Sequence, residues 1–405
     1  MSSRVIVIGA GPAGMMAAIQ AAKNHEVILL DGNDRIGKKL FITGKGRCNV
    51  TNAKDTSEFF EFIPGNPYFL YSSLYTFTNE DTMEFFKKQG IELKVERGDR
   101  VFPKSDKSSD IIKGLSKALK EANVEIRLNS KVTDIKFENN LIKEIIINNS
   151  EKLKGDYYII ATGGASYPST GSNGDGQRYA KKGGHNIIKL KPSLVPIETK
   201  DEWVKELMGL SLKNVSVTIK EGKKSVYKEQ GEMIFTHFGV SGPLILSGSR
   251  FIKEGKEYTL IIDLKPALDI QELDKRVQRD FQKYINKDFK NSLDELLPKK
   301  LIPVIIKISD IPENKKVNEI TKEERKRLVN LIKNLSIKIS GLRSLTEAIV
   351  TSGGVDTKEI DPSTMKSKLI NNLSFAGEVI DVDAFTGGYN VQIALSTGFV
   401  AGSNI

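Results

Sequence analysis

The chain opens on a short apolar run. Val5-Ile6-Val7-Ile8 is β-branched throughout and bounded by glycine, the pattern of a buried parallel strand over 4–8. Residues 12–23, rich in Ala and Met, predict a helix, and Val27-Ile28-Leu29-Leu30-Asp31 predicts a second strand that ends in an acid. Together they form a β-α-β unit of about thirty residues. Helical patterns follow near 55–62, 66–77 and 79–89, and again over 108–122, where Ser108, Ser109 and Asp110 offer caps. Four strand-like runs come next, at 124–128, 132–137, 141–147 and 156–161. Turn residues such as Asn139-Asn140 and Asn148-Asn149 separate them, which predicts a small meander returning to the main sheet.

The texture changes near 190. Residues 193–264 hold short alternating runs, among them Val215-Ser216-Val217-Thr218-Ile219-Lys220 and Tyr258-Thr259-Leu260-Ile261-Ile262, parted by turns such as Glu221-Gly222-Lys223. Period-two alternation of this kind predicts a β-barrel or sandwich. Residues 270–335 turn helical and lysine-rich, and from about 340 short buried strands and glycine loops return. The expected class is α/β. A discontinuous nucleotide-binding domain (1–190 and 341–405) is interrupted by a β-barrel (191–268) and a small helical subdomain (269–340).

Composition narrows the class. The 405 residues are 39% hydrophobic and 28% charged, ordinary for a globular protein. No stretch approaches the roughly 18 apolar residues of a membrane span. The first apolar run ends in a glycine motif rather than a cleavage site, so a cytoplasmic location is the expectation. The net charge of +10 raises the question of nucleic acid. The lysines are spread along the chain, however. Dense stretches such as Lys322-Glu323-Glu324-Arg325-Lys326-Arg327 alternate with acids, which argues against a nucleic-acid partner and for solvated helix faces. Cys48 is the one cysteine, so no intrachain disulfide forms. His25, His185 and His237 show no metal-ligand spacing, and no metal is expected.

The strongest motif is Gly9-Ala10-Gly11-Pro12-Ala13-Gly14, which lies between a predicted strand and a predicted helix. In this context Gly9 permits the tight turn, Gly11 lets the backbone approach a pyrophosphate, and Gly14 lets helix and strand pack closely. The helix N-terminus at Pro12 and Ala13 offers free N–H groups to phosphates. Asp31, at the end of the second strand, is placed to accept from a ribose hydroxyl. The run Gly37 to Asn52 carries Lys38, Lys39, Gly44, Arg47, Cys48 and Asn49, and it is not a Walker A loop because Gly46 follows Gly44-Lys45.

Five stretches carry a family resemblance: this fingerprint, GKGRCNVTN at 44–52, ATGGASYPSTGSNGDG at 161–176, GEMIFTHFGVSGP at 231–243, and FAGEVIDVDAFTGGYNVQIALSTGFVAG at 375–402. The chain resembles the bacterial flavoprotein family that includes aminoacetone-oxidase-like enzymes and BaiN-type bile-acid reductases. The resemblance implies FAD held by a glutathione-reductase-type Rossmann-like domain with an inserted barrel and a small helical domain. It implies cofactor contacts from the 37–52 run and from Ala161, Thr162 and Gly163. Gly377, Glu378 and Asp381 would face ribityl or ribose hydroxyls, and Gly388, Tyr389 and Asn390 would open a final helix aimed at the flavin. Val132 matches a position whose backbone commonly faces the adenine.

The reaction is less legible. Cys48 has no partner, which excludes a cysteine-pair relay within the chain. No second strand-GxGxxG-helix unit exists, and Gly171 to Gly176 has the glycines without the pattern. NAD(P)H would then bind transiently, or the organic substrate would itself reduce the flavin. His237, Tyr167 and Tyr389 are candidate proton donors, whereas His25 and His185 read as surface turn residues. The leading expectation is NAD(P)H-linked reduction of a conjugated C=C bond in a small molecule, as BaiN-type reductases perform on 3-oxo-Δ4,6 bile acids. Oxygen-dependent amine oxidation, flavin-dependent tRNA modification and a flavin-binding protein without turnover remain open, as does the oligomeric state.

Overall fold

A computed structural model of the chain describes residues 3–405. It divides into two units: one formed by the chain up to Ser193 together with Leu345–Ile405, the other by Leu194–Ser344.

The first unit is built on a five-stranded parallel sheet. Its order is Leu373–Phe375, Tyr157–Ile160, Arg4–Ile8, Glu26–Leu30 and Glu125–Arg127. Ile6 lies opposite both Ile28 and Tyr158, and Tyr158 in turn lies opposite Leu373, so the two ends of the chain meet in one sheet. Strands covered on both faces favour continuous apolar runs, and Val5, Ile6, Val7, Leu29, Tyr158 and Phe375 are fully buried. The helix Pro12–Ala21 is buried on nearly every side. It packs backbone to backbone on the helix Tyr389–Ser403, where a Cβ on Gly398 would lie 2.2 Å from the carbonyl oxygen of Ala13. Only glycine allows that approach.

Smaller sheets flank this core. The meander Val132–Glu138, Leu141–Ile147 and Glu151–Leu153 is antiparallel. A second small sheet joins Thr51–Asn52, Arg100–Pro103 and Leu93–Glu96. Ile187–Ser193 pairs antiparallel with Val350–Val355, stitching together the two segments on either side of the insertion. The helical patterns near 55–62 and 66–77 resolve into 3-10 turns at Thr56–Phe62 and Pro67–Leu70 and one short helix, Tyr71–Thr76. Pro64-Gly65-Asn66-Pro67 breaks the run, since proline lacks the amide donor and restricts the residue before it.

The second unit is a closed six-stranded barrel: Ile197–Thr199, Gly239–Ser241, Lys224–Phe235, Ser211–Glu221, Tyr258–Asp263 and Leu335–Leu342. The last strand pairs back to the first, with Ile197 opposite Leu342. The helices Ile270–Lys283, Ile302–Ser309 and Lys322–Lys333 therefore form an excursion between the fifth and sixth strands. The subdomain bound of 269–340 takes in a strand after the helical stretch 270–335, where Leu335, Ile337 and Ile339 are buried and Ser336, Lys338 and Ser340 exposed. Two of the helices start with a capping box: Asp269 accepts from the amide of Glu272, and Thr321 from that of Glu324. Leu273, Val277, Leu328 and Ile332 extend the barrel core of Val217, Ile219, Leu260 and Ile337. Among the described residues, no helix is long and apolar enough to cross a membrane.

Candidate cofactor and active site

The glycine turn follows from steric demands. Gly9 leaves the first strand at φ +105°, and a Cβ there would lie 2.6 Å from the Ala161 carbonyl oxygen. A Cβ on Gly14 would lie 1.8 Å from the Gly9 carbonyl oxygen, so neither position tolerates a side chain. Gly11 is different: nothing lies within 4 Å of where its Cβ would project. Gly11 precedes Pro12, the first residue of the helix, and no side chain caps that helix end. Its dipole and free N–H groups face this open space.

Asp31 holds the turn. One carboxylate oxygen accepts from the Ala10 amide at 2.8 Å, and the other accepts from the amide and side chain of Asn33, each at 2.8 Å. A carboxylate has about four acceptor sites, which leaves room for a sugar hydroxyl. Lys38 donates to the Asn33 side chain at 3.2 Å.

Lys39 reaches across the chain. Its ammonium donates to Glu378 and to Ser166, both at 2.8 Å, and Glu378 also accepts from the Thr351 amide at 2.7 Å. One carboxylate thus ties the short helix Lys38–Ile42, the loop after the strand Tyr157–Ile160, and two segments from the C-terminal part. Lys39 and Glu378 are each about one-fifth exposed. Asp381 is tied too, accepting from the Asn66 side chain at 3.0 Å.

The 43–50 loop is strained. Gly44, Lys45, Gly46 and Cys48 all adopt left-handed backbone, with φ of 57°, 58°, 82° and 57°. For the lysine and cysteine that is a conformation which the surroundings must hold in place. Arg47 does part of this, donating to Glu96 and Asp106 at 2.5 Å each, with its guanidinium 4.2 Å from the Phe102 ring centre. Those carboxylates raise its pKa further. The Cys48 thiol is fully buried, and burial pushes it up to about 12 against a smaller opposing hydrogen bond from Thr43. It stays a thiol at neutral pH, and so is not a nucleophile.

Ala161, Thr162 and Gly163 follow the strand Tyr157–Ile160. The Thr162 hydroxyl, the Gln177 amide oxygen and the Asn49 amide oxygen are buried without a hydrogen-bond partner. Buried polar atoms are nearly always paired, so the two amide oxygens are ready to accept from ligand hydroxyls, and the threonine hydroxyl to donate or accept. The Val132 carbonyl accepts from the Tyr179 hydroxyl at 2.5 Å.

The last helix starts under tight constraint. Gly388 has φ +100°, and a Cβ there would meet the Thr51 carbonyl oxygen at 2.3 Å. The buried Tyr389 ring stacks on Phe62 at 4.6 Å and meets Phe59 edge-on at 4.9 Å. Burial, and secondarily the charges of Asp99 and Glu58, push its hydroxyl pKa well above the usual phenol range. The Asn390 side chain is turned to the Ala384 backbone, accepting from its amide at 2.9 Å and donating to its carbonyl at 2.7 Å. Gly377 has φ +75°, and its amide donates to the Thr397 hydroxyl at 2.9 Å.

Of the other proton-donor candidates, Tyr167 is half-buried with φ +54°, and the exposed His237 lies in the barrel unit with its ring edge-on to Phe238 at 4.8 Å. His185 is a correction. It is not a surface turn residue but is buried, with its ring nitrogens 3.1 Å from the Ala180 carbonyl and 2.7 Å from the Ser367 hydroxyl. Burial lowers its pKa. Ser367 is supplied from far along the chain, so the local turn signal of Gly183-Gly184 hid the burial. Ser166, Thr351, Asn33 and Gln177 were missed as single residues. Ser166 stands within the 161–176 stretch, whereas Thr351 has no local signal at all. No group of three His, Cys, Asp or Glu suited to a metal occurs among the described residues.

Comparison with known proteins extends this picture. The HI0933-like protein Rossmann domain family matches residues 3–404. The chain is 31% identical over 409 residues to a 3-dehydro-bile acid delta(4,6)-reductase of Clostridium scindens, covering 99% of this chain and 98% of that protein. It is 32% identical over 408 residues to a ribosomal RNA dihydrouridine synthase of Haemophilus influenzae, covering 100% and 98%, and 30% identical over 402 residues to that of Escherichia coli, covering 99% and 97%. Among solved structures, the open conformation of a flavocytochrome c3 fumarate reductase shares the fold at a TM-score of 0.51 and 18% identity, covering 100% of this chain and 78% of that one. With a glycine turn open at Gly11, a parallel sheet closed by both ends of the chain and a family match over nearly all its length, the chain belongs to the HI0933-like family of FAD-dependent oxidoreductases with a Rossmann-type fold.

Proposed function

We propose that this chain uses FAD and NAD(P)H to reduce a carbon–carbon double bond conjugated to a carbonyl. The observation that carries the reading is chemical. The Clostridium relative is named for reducing the 4,6 positions of a 3-dehydro-bile acid, and the two others for making dihydrouridine. The acceptors differ in size and class, but each name describes adding two hydrogens to a C=C that shares a π-system with a carbonyl. The single glycine fingerprint supports the rest: one dinucleotide is held, and the reductant comes and goes.

The residues present fit FAD. Gly9, Gly11, Pro12, Ala13 and Gly14 would hold its diphosphate at the helix end, and Asp31 a ribose. Asn49, Thr162 and Gln177 carry the unpaired buried atoms suited to its hydroxyls. Lys39 and Glu378 would line it while fixing one another. When bound, FAD supplies two-electron transfer. The protein orients the acceptor carbonyl and delivers a proton to the carbon next to it. Cys48 takes no part in that, since its thiol stays protonated and enclosed. Tyr389 keeps its proton at neutral pH for the same reason of burial, and Tyr167 is the alternative donor within the same unit.

The small-molecule enone is the first reading of the acceptor. A uracil base in RNA is the second, and the location of the charge favours it. The unit 194–344 holds 29 Lys and Arg against 22 Asp and Glu, a surplus of seven within the chain's +10. Such a surplus attracts a polyanion more strongly than a steroid with a single carboxylate. Turnover with NADH or NADPH, offered a 4,6-dien-3-oxo steroid or protein-free ribosomal RNA, tests both. The product should carry two added hydrogens by mass spectrometry, on the steroid or on uridine. If neither acceptor gains hydrogen while an amine is oxidised with oxygen uptake, the reductase reading is wrong.

A further inference from the structure

The helical part of the inserted unit carries a surface that the flavin chemistry does not use. The helix Ile270–Lys283 buries Leu273, Val277, Asp280 and Phe281, one face at helical spacing. The opposite stripe, Gln271, Lys275, Arg279 and Gln282, is exposed and contains no carboxylate. Carboxylates of these helices are engaged elsewhere: Asp280 pairs with Arg276 at 2.8 Å, Asp274 with Arg325 at 2.8 Å, and Glu324 with Lys315 at 2.8 Å. Glu272 caps its own helix, with its side chain accepting from the Asp269 amide at 3.2 Å. On the helix Lys322–Lys333, Lys322, Lys326 and Arg327 are exposed, with Glu323 the acid among them. Arg325 on the second helix reaches Asp274 on the first at 2.8 Å, so Lys275 and Lys326, each one residue further along, stand on either side of that helix contact.

The arrangement works against stability. Lys275 and Arg279 stand four residues apart, where like charges repel on a helix. Solvated helix faces usually intersperse the two signs; here Asp274, Asp280 and Glu324 are drawn into pairs, so the exposed cations of the two helices outnumber the exposed acids Glu272 and Glu323. We propose that Lys275, Arg279 and Lys326 form a docking face for the phosphate backbone of an RNA substrate. This rests on the RNA reading of the acceptor given above. Charge complementarity selects the occupant: the face is cationic and flanked by amide side chains, which suit phosphate oxygens and sugar hydroxyls.

The test uses the full-length flavoprotein and a fluorescein-labelled RNA hairpin with a uridine-rich loop. Anisotropy titrations across a salt series compare the wild type with K275Q/R279Q/K326Q. Each lost phosphate contact on single-stranded RNA lowers the slope of log K against log salt by about 0.7, so three lower it by about 2. Affinity at low salt should fall at least roughly tenfold, with NAD(P)H reduction of the bound flavin unchanged. K275R/K326R should bind as the wild type does. If the wild type binds the hairpin and the triple variant binds it equally well with the same slope, this face is wrong and the RNA reading stands. If the wild type shows no salt-dependent binding, the RNA reading falls and the face with it, while reduction of a small enone remains. Loss of binding to phosphatidylserine vesicles, with RNA binding intact, also overturns the proposal.

Discussion

Gly11 separates a structural glycine from a binding one. Its backbone, at φ −77° and ψ −180°, is open to any residue, and a Cβ would find nothing within 4 Å. Gly11→Ala should therefore fold normally. By restricting the unfolded chain it should even stabilise the FAD-free protein, by about 0.4–1 kcal/mol. If the cofactor diphosphate lies against Gly11, however, the added methyl pushes it from the helix end. Losing one charge-assisted hydrogen bond costs about 1.5–3 kcal/mol, which is roughly a 10- to 100-fold weaker Kd. Gly14→Ala is the contrast: its methyl would overlap the Gly9 carbonyl oxygen at 1.8 Å. Helix and strand would have to separate, at a cost of about 3 kcal/mol. Urea melts of FAD-free protein and fluorescence titration with FAD read the two quantities apart. If Gly11→Ala binds FAD as tightly as the wild type, the diphosphate does not lie against Gly11 as proposed.

Three further outcomes follow from the site. Lys39→Met and Glu378→Gln should show a coupling of about 1–2 kcal/mol in a double-mutant cycle on unfolding, above the exposed-pair range because both groups are mostly buried; a coupling near zero would remove the tie between the two ends of the chain. Folding raises the Cys48 pKa from an ordinary 9.0 to about 12, so the stability linked to the neutral thiol is complete below pH 9 and is lost as pH rises toward 12. The urea midpoint of the wild type should thus fall more steeply between pH 8 and pH 10 (roughly the lower part of that window) than that of Cys48→Ala, and parallel curves would contradict this. Tyr389→Phe keeps the stack on Phe62 while removing the hydroxyl, so it should leave the unfolding free energy within about 1 kcal/mol of wild type and slow hydrogen transfer to the acceptor; an unchanged rate of flavin reoxidation by the acceptor would remove Tyr389 as the donor.

The parts of the fold that were legible rest on local physics. The glycine turn is readable because three positions each exclude a side chain or need open space, and such constraints act within one strand and one helix. The barrel is readable because alternation persists over several runs. Leu335–Leu342 shows the same alternation, but a lysine-rich helical stretch before it masked the change of period. What was not legible depends on partners remote in sequence. The carboxylate of Glu378 finds Lys39 from the other end of the chain, and His185 is enclosed by Ser367. Arg47 reads in sequence as a cofactor cation; in the fold its donors are turned to Glu96, from a small sheet that no strong pattern announced, and to Asp106, from the turn that follows it. Spacing tells which residues share an element, and only the folded chain tells which charges meet.

The central claim is an FAD enzyme that takes electrons from a nicotinamide and passes them to a conjugated double bond. Anaerobic stopped-flow tests it in two mixes of the purified protein. NADH or NADPH in the first mix should bleach the visible absorbance of the bound flavin. A 4,6-dien-3-oxo steroid or a uridine-rich RNA in the second should restore it without oxygen. Bleaching by an amine but by neither nicotinamide, with absorbance recovered only when oxygen is admitted, would contradict the account.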